Sequence, residues 1–327
     1  MAGKRHAVVG VDLGGTSMLA AVIDADGKVL GECKRKTKAE LGAEKVTERA
    51  ASAIKKALKD AGLRKTDIGG VGIGVPGPIQ PEVGLVKRAV NLGPSWDAFP
   101  LGRTLSRHLG LPVVVENDVK VGAVGEYTYG AGRGSRAMLA IFVGTGIGGG
   151  IILDGHLYAG PRNSSGEVGH MVIAADGPLC GCGLPGHAEA LASRTAIERD
   201  IRQAIADGVE TCVTGMLTDG KRDTLTSGII GDAYEAGDEV TVRAVERAQY
   251  YLGLLVSACV NLLDPDTVVV GGGVLERFGP DYLIPVRATA ESHFINRAEA
   301  DKVRLLPAAL GDYSGALGAA VVARQRL

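Results

Sequence analysis

The sequence predicts a duplicated α/β fold with two lobes, on the basis of three observations. Short apolar runs rich in Val and Ile alternate with longer segments whose apolar residues recur at helical spacing. A strand, a glycine-rich turn and a second strand surround residues 12–16, and the same arrangement returns about 131 positions later around residues 143–150. A predicted strand that is followed by Asn117 and Asp118 lies between the two copies. Two such hairpins in register indicate two similar halves.

Length, charge and cysteine usage narrow the class of protein. The 327 residues are enough for two domains, and 46% hydrophobic with 22% charged residues is ordinary for a globular chain. A formal net charge of -1 offers no basic footprint for nucleic acid or for an anionic membrane. No apolar run reaches the roughly 18 residues of a membrane span, and the N-terminus does not resemble a signal peptide. Because the five cysteines are odd in number and mostly scattered, we expect reduced thiols and a cytoplasmic location.

The first glycine-rich turn joins a predicted strand over Ala7–Val11 to a second one over Met18–Ile23. Backbone N–H groups of such a turn can cradle a phosphate, and the preceding aspartate can hold a hydrated Mg²⁺. The sequence therefore predicts a nucleotide-phosphate and Mg²⁺ site at Asp12, Gly14, Gly15 and Thr16. A plain β-hairpin is an equally good interpretation of this motif alone, because short glycine motifs recur by chance.

The next segments are predicted to be a helix, a strand and a loop. Apolar residues recur at helical spacing over Glu44–Ala61. The strand over Val71–Val75 runs into Pro76-Gly77-Pro78, a rigid turn that we expect at the edge of a cleft. Asn91–Gly102 is predicted to be a packed surface loop, and it contains the single tryptophan of the chain.

A strand predicted over Leu111–Val115 is followed by Asn117 and Asp118, and then by a helix over Val119–Tyr127. Open α/β sheets place their ligands at the carboxyl ends of strands, so both side chains are candidates for ligand binding. The alternative for Asp118 is a helix N-cap, in which its carboxylate would accept backbone N–H groups instead.

The second glycine-rich turn repeats the first. It lies between strands predicted over Leu139–Val143 and Ile151–Leu153, and Gly146 falls where Gly15 stands in the first copy. Two phosphate-binding turns of this kind predict one nucleotide held between the halves of a duplicated fold. The predicted nucleotide contacts in this turn are Gly144, Thr145, Gly146 and Gly148.

Residues 166–189 contain four good metal ligands. Their His-x9-Cys-x-Cys-x4-His spacing can close a tetrahedral zinc site of thiolates and imidazoles. The predicted structural zinc ligands are His170, Cys180, Cys182 and His187. The alternatives are a redox pair, although C-x-C is not the C-x-x-C redox spacing, and a glycine-rich surface loop with incidental cysteines. Glu167 and Glu189 flank the cluster and are left to bind something else.

The C-terminal part is predicted to be mostly helical. Helices are expected over Ala188–Ala206, with Glu189 in the first turn, over Val240–Leu263 and over Ser314–Arg324, with short helices and loops in 207–238.

A third glycine turn follows a strand predicted over Thr267–Val270. Its Gly272 and Gly273 would let the backbone pack flat against a planar ligand such as adenine. A tight strand-to-helix connection explains these glycines equally well.

Together these motifs resemble the ROK family of sugar kinases and sugar-responsive repressors. The resemblance covers nearly the whole chain and is carried, in the expected order, by DLGGT, END, GTGIGGG, GEVGH, CGCGLPGHAE and VVVGGGV. GEVGH with CGCG is highly specific, whereas DLGGT is shared with the wider actin-like superfamily. The chain length, NLGPSWDAFPLG and the segment in which Asp264-Pro265-Asp266 precedes a strand and three glycines look most like the bacterial glucokinases of this family.

The resemblance implies an actin-like, ribonuclease-H-type duplicated fold, with a hexose bound beneath the γ-phosphate of ATP. We expect a small lobe of residues 1–116 and 312–327, and a large lobe of residues 117–311 that carries the sugar site, the zinc cluster and the adenosine-binding turn. A homodimer or homotetramer is expected, with lobes that close on the sugar.

For the site, the resemblance implies that Asp118 is the general base toward the sugar 6-hydroxyl. The implied sugar contacts are Gly77, Asn117, Asp118, Glu167, His170 and Glu189. His187 departs from the family's usual sequence, which has a third cysteine at this position. Imidazole is a good zinc ligand, so we expect the site to bind zinc as Cys2His2.

Three functions compete for this sequence. The first is an ATP-dependent glucokinase, and the second is a kinase for another hexose, such as mannose, fructose, N-acetylglucosamine or N-acetylmannosamine. The third is a sugar-sensing repressor. Repressors of the family carry an N-terminal helix-turn-helix domain, and a first strand beginning near Ala7 leads us to expect none here. With a net charge near zero, we expect no binding to nucleic acid.

Overall fold

A computed structural model describes residues 7–220 and 225–327. Within these ranges the strands are β1 (Ala7–Leu13), β2 (Ser17–Ile23), β3 (Val29–Lys36), β4 (Ile68–Val75), β5 (Ile79–Gln80), β6 (Leu85–Val86), β7 (Val113–Asn117), β8 (Ala137–Val143), β9 (Ile147–Leu153), β10 (His156–Leu157), β11 (Thr267–Gly271) and β12 (Arg304–Pro307). The helices are α1 (Ala43–Asp60), α2 (Leu101–Leu109), α3 (Asp118–Tyr129), α4 (Glu189–Ala192), α5 (Arg194–Ala206), α6 (Val213–Gly220), α7 (Ser227–Glu235), α8 (Glu239–Leu263), α9 (Gly273–Phe278), α10 (Leu283–Ser292) and α11 (Ser314–Arg326). Among the described residues, no helix has the length and apolar character needed to cross a membrane.

The first sheet has the strand order β3-β2-β1-β4-β7. Strands β1 and β2 form an antiparallel hairpin that pairs onward with β3, whereas β4 runs parallel to β1 and β7 runs parallel to β4. β1 and β4 are almost continuously buried, as expected for parallel strands covered on both faces. Asp12 and Asn117 lie near the carboxyl ends of β1 and β7.

The second sheet has the order β10-β9-β8-β11-β12. Here β9 and β10 are antiparallel, and β11 runs parallel to both β8 and β12. When the strands of each sheet are counted along the chain, both sheets have the order third, second, first, fourth, fifth. This shared order confirms the duplicated α/β fold that the two glycine-rich turns predict.

The chain divides into two compact units. The first comprises the described residues up to Ser135 together with Gly150–Gly166 and Ala309–Leu327. The second comprises Arg136–Gly149 and Glu167–Ala308. These units are defined by compactness alone. The two lobes predicted from the sequence, with boundaries at residues 117 and 312, are instead bodies that would move when a ligand binds. This division into two lobes stays a prediction.

Successive residues of β1 are buried on opposite faces of the first sheet. Val9 and Val11 pack in a core with α1 and α2, while Val8 packs with residues of α11. Trp96 is fully buried in the core on the α1 side. The segment predicted as a packed surface loop therefore contributes its largest side chain to the interior.

Glycines let α11 lie directly on the first sheet and on α3. A Cβ at Gly10 of β1 would stand 1.8 Å from the carbonyl oxygen of Ala316, and one at Gly318 of α11 would stand 1.7 Å from that of Val121 in α3. Backbones can approach this closely only where no side chain intervenes. The contact fixes α3, and with it Asp118 at its start, relative to the sheet.

Two helical predictions are corrected by the structure. Asn91–Gly102, predicted to be a loop throughout, ends in the first two residues of α2, whose buried Leu101, Leu105 and Leu109 recur at helical spacing. The single helix predicted over Ala188–Ala206 is broken at Ser193 into α4 and α5. The break forms because Ser193 has an extended backbone and its hydroxyl caps α5, accepting the N–H of Ala196 at 3.2 Å.

Candidate functional site

Three carboxylates influence one another in the first compact unit. Asp12 lies near the end of β1, Asp118 is the first residue of α3, and Asp312 lies in the turn that leads into α11. Burial first, and then the negative charges of Asp118 and Asp312, raise the pKa of Asp12 from 3.8 to about 7. Carboxylate oxygens are the ligands that Mg²⁺ prefers, so this set fits the predicted Mg²⁺. The sequence does not connect Asp312 with Asp12, because they lie near opposite ends of the chain.

Replacing Asp12 with Asn is expected to stabilise the metal-free protein at neutral and alkaline pH. The pKa of Asp12 is raised from 3.8 to about 7 in the fold, so its ionisation opposes folding. The favourable contribution of Asp12 to the free energy of unfolding is complete below pH 3.8 and is lost as the pH rises through 7. In EDTA at about pH 8, the Asn variant should melt at least about 2 °C above the wild-type protein, and the gap should close towards about pH 4. A gap that is absent at both pH values would contradict the raised pKa.

Asn117 caps helix α3. Its side-chain oxygen accepts the N–H of Lys120 at 3.1 Å, and its amide nitrogen donates to the carbonyl oxygen of Gly77 at 3.2 Å. Asp118 is the first helical residue, and its carboxylate accepts the N–H of Val119 at 2.9 Å. The alternative in which Asp118 is the N-cap is therefore wrong, because its neighbour fills that role. The predicted residues Gly77, Asn117 and Asp118 lie together at the end of β7.

A buried hydrogen-bond network supports this strand end. The ammonium group of Lys120, a residue only 3% exposed, donates to the backbone and side-chain oxygens of Asn163 at 2.7 and 3.1 Å. Asn163 in turn donates to the carboxylate of Glu116 at 3.3 Å, and the same carboxylate oxygen accepts the N–H of Asn117 at 3.0 Å. Because such buried polar networks are rigid, this one fixes the direction in which Asn117 and Asp118 leave β7.

The first glycine loop, residues 12–16, is closed by its own backbone and held by a threonine. Gly14 donates its N–H to the carbonyl oxygen of Ser17 at 2.9 Å. Thr37 donates its hydroxyl to the carbonyl oxygen of Gly14 at 2.6 Å and its N–H to that of Thr16 at 2.9 Å. Thr16 is the exposed tip of the turn. The loop can therefore present its tip to a phosphate, while Thr37, which the motif does not reveal, holds its base.

The second glycine loop, residues 144–148, is closed in the same way. Gly144 donates its N–H to the carbonyl oxygen of Gly146 at 2.9 Å. The start of α5 holds this loop, because Arg194 donates its backbone N–H to Gly144 at 2.9 Å and its guanidinium to the hydroxyl of Thr145 at 3.4 Å. The hydroxyl of Thr195 also donates to the carbonyl oxygen of Thr145. The sequence does not reveal this clamp, because its pattern gives no sign of the helix break before α5.

Arg194 is itself held by an ion pair. Its guanidinium donates to Glu198 at 2.8 Å and to the carbonyl oxygen of Leu225 at 2.7 Å, and Arg202 pairs with the same carboxylate at 2.9 Å. Burial acts to raise the pKa of Glu198, but hydrogen bonds from Leu225, Arg202 and Arg194 outweigh it and lower that pKa. Glu198 is therefore an anion that orients Arg194 toward the loop.

Glu189 links the second glycine loop to the predicted metal ligands. One carboxylate oxygen accepts the N–H of Ile147 at 3.0 Å, and the other lies 3.3 Å from Sγ of Cys180. A Cβ at Gly146 would stand 2.2 Å from the first of these oxygens, so a larger residue there would displace the carboxylate of Glu189. Glu189 is the first residue of α4, in agreement with its predicted place in the first turn of a helix.

The four predicted zinc ligands, which we call the metal cluster, lie together. Their ligand atoms are all within 4.8 Å of one another. The Nδ1 atoms of His170 and His187 are 3.3 Å apart. Sγ of Cys182 lies 3.2 Å from Nδ1 of His187, and Sγ of Cys180 lies 3.9 Å from Nδ1 of His170. Tetrahedral zinc with Zn–N bonds of about 2.0–2.1 Å separates two nitrogens by about 3.4 Å. Both the donor types and their spacing fit zinc.

Two exposed side chains, one of them a member of the metal cluster, lie at the start of this segment. Glu167 comes directly before the single helical turn Val168–His170, and both Glu167 and His170 are exposed. Because Nδ1 of His170 faces the other ligand atoms, Nε2 is the ring nitrogen left for a different partner.

The third glycine turn lies beside the strand that leads into the second glycine loop. Gly272 has a φ of 92°, and helix α9 begins at Gly273. A Cβ at Gly272 would stand 2.6 Å from the carbonyl oxygen of Val143, the last residue of β8. The turn is thus the strand-to-helix connection that the sequence left as an alternative, and its role in adenosine binding stays a prediction.

Two sheets of the same strand order, each built on a hairpin with a glycine loop, define the actin-like class of two-domain α/β proteins. The model of the ROK family matches residues 8–326. This chain belongs to the ROK family.

Several relatives are similar over nearly their whole length. The chain is 34% identical to a glucokinase of Halalkalibacterium halodurans over 319 residues, which are 97% of this chain and 95% of that protein. It is 33% identical to a glucokinase of Thermotoga maritima, with 98% of each chain covered. Among solved structures, it is similar to a ROK family glucokinase from Streptomyces griseus in complex with glucose and AMPPNP, with a TM-score of 0.83 and 34% identity over 98% of this chain and 99% of that chain.

Proposed function

We propose that this chain is an ATP-dependent glucokinase that transfers the γ-phosphate of ATP to the 6-hydroxyl of glucose. The observation that carries the proposal is the position of Asp118, which follows the end of β7 and lies near enough to Asp12 for its charge to raise the pKa of that carboxyl. Glucokinases at 33–34% identity over nearly the whole chain support glucose as the hexose.

Phosphoryl transfer requires alignment and charge neutralisation more than covalent catalysis. Asp118 would accept the proton of the sugar hydroxyl as its oxygen attacks the γ-phosphate. Backbone N–H groups of the two glycine loops would bind phosphate oxygens. Asp12 would hold Mg²⁺, with Asp312 adding to the negative field, and Mg²⁺ when bound supplies positive charge that offsets that of the phosphates.

Asn117, Glu167, Glu189 and His170 are assigned to the remaining sugar hydroxyls. The Asn117 amide donates one N–H to Gly77 and has a second one for a hydroxyl. Glu167 and Glu189 would accept hydrogen bonds from hydroxyls. His170 would bind structural zinc through Nδ1, and its Nε2–H would then be a fixed donor to the sugar. The metal cluster would thus position the sugar contacts of the second unit.

A panel of hexoses tests the substrate. ADP release from ATP and Mg²⁺ would be measured with glucose, mannose, fructose, N-acetylglucosamine and N-acetylmannosamine, and the proposal predicts the highest kcat/KM for glucose. A higher value for another sugar would replace glucose as the substrate and keep the roles of the residues. Protein that holds zinc and turns over none of them would contradict a hexose kinase.

Replacing Arg194 with Ala is expected to weaken nucleotide binding selectively. The variant loses the side chain that holds Thr145 and bridges to Glu198, so the second glycine loop should lose its fixed shape. Loss of a charged hydrogen bond of about 1.4 kcal/mol would raise the Kd for AMPPNP about tenfold. The Kd for glucose should change little, and isothermal titration calorimetry measures both.

Arg202→Ala is the matched control for this prediction. Arg202 pairs with the same Glu198, whereas its guanidinium is not bonded to the glycine loop. If both variants weakened AMPPNP equally, the effect would come from the stability of α5, and the positioning role of Arg194 would be wrong.

We also propose a cytoplasmic homodimer or homotetramer whose lobes close on the sugar. Light scattering coupled to size-exclusion chromatography gives the number of chains in the assembly. A fall in the radius of gyration on adding glucose would support closure of the lobes.

A further inference from the structure

A cleft of about 690 Å³ in the first compact unit lies apart from the residues assigned to the reaction. Its walls come from the β5–β6 hairpin, the edge strand β7, residues 159–163 and the end of α11. These segments are distant in sequence and meet only in the fold. Clefts of this volume hold small molecules.

The lining of the cleft is basic. Lys87, Arg162 and Arg326 contribute three positive charges, and Glu82 contributes one negative charge. Across residues 7–220 and 225–327, the side chains of Lys87 and Arg162 have neither an ion-pair nor a hydrogen-bond partner. Because Arg326 is paired with the carboxylate of Glu116, Lys87 and Arg162 set against Glu82 leave a local excess of one positive charge. Cations that line a concave surface concentrate anions there.

We propose that this cleft binds a small phosphate-bearing anion, such as a phosphate monoester of sugar size. A phosphate group carries a charge of about -1.5 to -2 at neutral pH, and the side chains of Lys87 and Arg162 offer it two positive charges. The guanidinium groups of Arg162 and Arg326 have the planar donor geometry that binds phosphate oxygens in pairs. Gln80 and Glu82 on the same wall offer polar atoms to the hydroxyls of the ester.

One wall of the cleft is connected to the proposed general base. Arg326 donates to the carboxylate of Glu116 at 2.8 Å, and the side chain of Glu116 is 1% exposed. The other oxygen of Glu116 accepts the N–H of Asn117 at 3.0 Å, directly before Asp118. An anion that draws Arg326 toward itself would weaken its bond to Glu116. The ligand would therefore alter the support of Asn117 and Asp118.

Calorimetric titration of the full chain with inorganic phosphate tests the site. The protein is first saturated with glucose, Mg²⁺ and AMPPNP, so that the glycine loops are occupied. We expect one saturable site, and we expect both Lys87→Ala and Arg162→Ala to raise its Kd at least about tenfold. Arg133→Ala, an exposed arginine outside the cleft, should leave the Kd unchanged.

Two results would overturn the site. One is the absence of saturable phosphate binding to folded wild-type protein, and the other is binding that neither cleft variant weakens. Neither result depends on turnover, so the test remains valid if the proposed kinase function is wrong. Equal melting temperatures of the variants and the wild-type protein would exclude unfolding as the cause of a weaker Kd.

The connection to Asp118 rests on the proposed function and has its own test. With ATP and glucose both saturating, inorganic phosphate should lower kcat of the wild-type protein, and the inhibition should require at least about tenfold more phosphate in Arg162→Ala. Inhibition that is identical in the two proteins would place phosphate at the reaction site and contradict the connection through Glu116.

Discussion

Replacing Asp118 with Asn is expected to lower kcat for glucose phosphorylation by about 10²- to 10⁴-fold, the usual contribution of a general base. The asparagine side chain is nearly the same size, and its oxygen can still accept the N–H of Val119. The substitution removes the carboxylate that would take the hydroxyl proton. Since Asn117 provides the N-cap, α3 should keep its first turn and glucose should bind almost as tightly as before.

The measurement for this prediction combines steady-state turnover with calorimetric binding of glucose. Asp118→Ala should give the same loss of turnover, and Asp26→Asn, in the exposed turn between β2 and β3, should leave turnover unchanged. A variant at Asp118 that kept more than about a tenth of the wild-type kcat would rule out this residue as the general base.

Replacing Cys182 with Ser is expected to release zinc and to raise KM for glucose at least about tenfold, within the range found when the environment of a bound metal is disrupted. A serine hydroxyl does not ionise at neutral pH, so three ligands would remain. The metal cluster contains His170 and its Cys180 lies beside Glu189, so both proposed sugar contacts would lose their fixed positions. Elemental analysis gives the metal content, and turnover at varied glucose gives KM.

Cys212→Ser is the matched control, because this exposed cysteine lies outside the metal cluster. It should retain one zinc per chain and an unchanged KM. Wild-type protein that contains no zinc and is fully active with Mg²⁺ and ATP would contradict the positioning role of the cluster.

The duplicated fold could be predicted because its signals are local and periodic. Each glycine loop follows a short apolar strand, and the repeat at a constant offset appears in the sequence itself. The metal cluster was predictable for a similar reason, since its ligands lie within one short segment and their spacing limits the geometry. In both cases a few neighbouring residues determine the structure.

The residues that hold these motifs could not be predicted, because their partners are distant in sequence. Thr37 holds the first glycine loop, and Asp312 acts on Asp12 from near the other end of the chain. The choice between Asn117 and Asp118 as N-cap depends on backbone angles that two adjacent polar residues do not reveal. Arg194 reaches the second glycine loop only because Ser193 interrupts the helix, and a helical pattern shows no such break.

The most direct test of the central claim is a phosphorus NMR spectrum of the products formed from ATP, Mg²⁺ and glucose. We expect one phosphate monoester on the 6-oxygen of glucose for each ADP released, and no such signal with Asp118→Asn. Release of ADP and inorganic phosphate with unmodified glucose would contradict the proposed function.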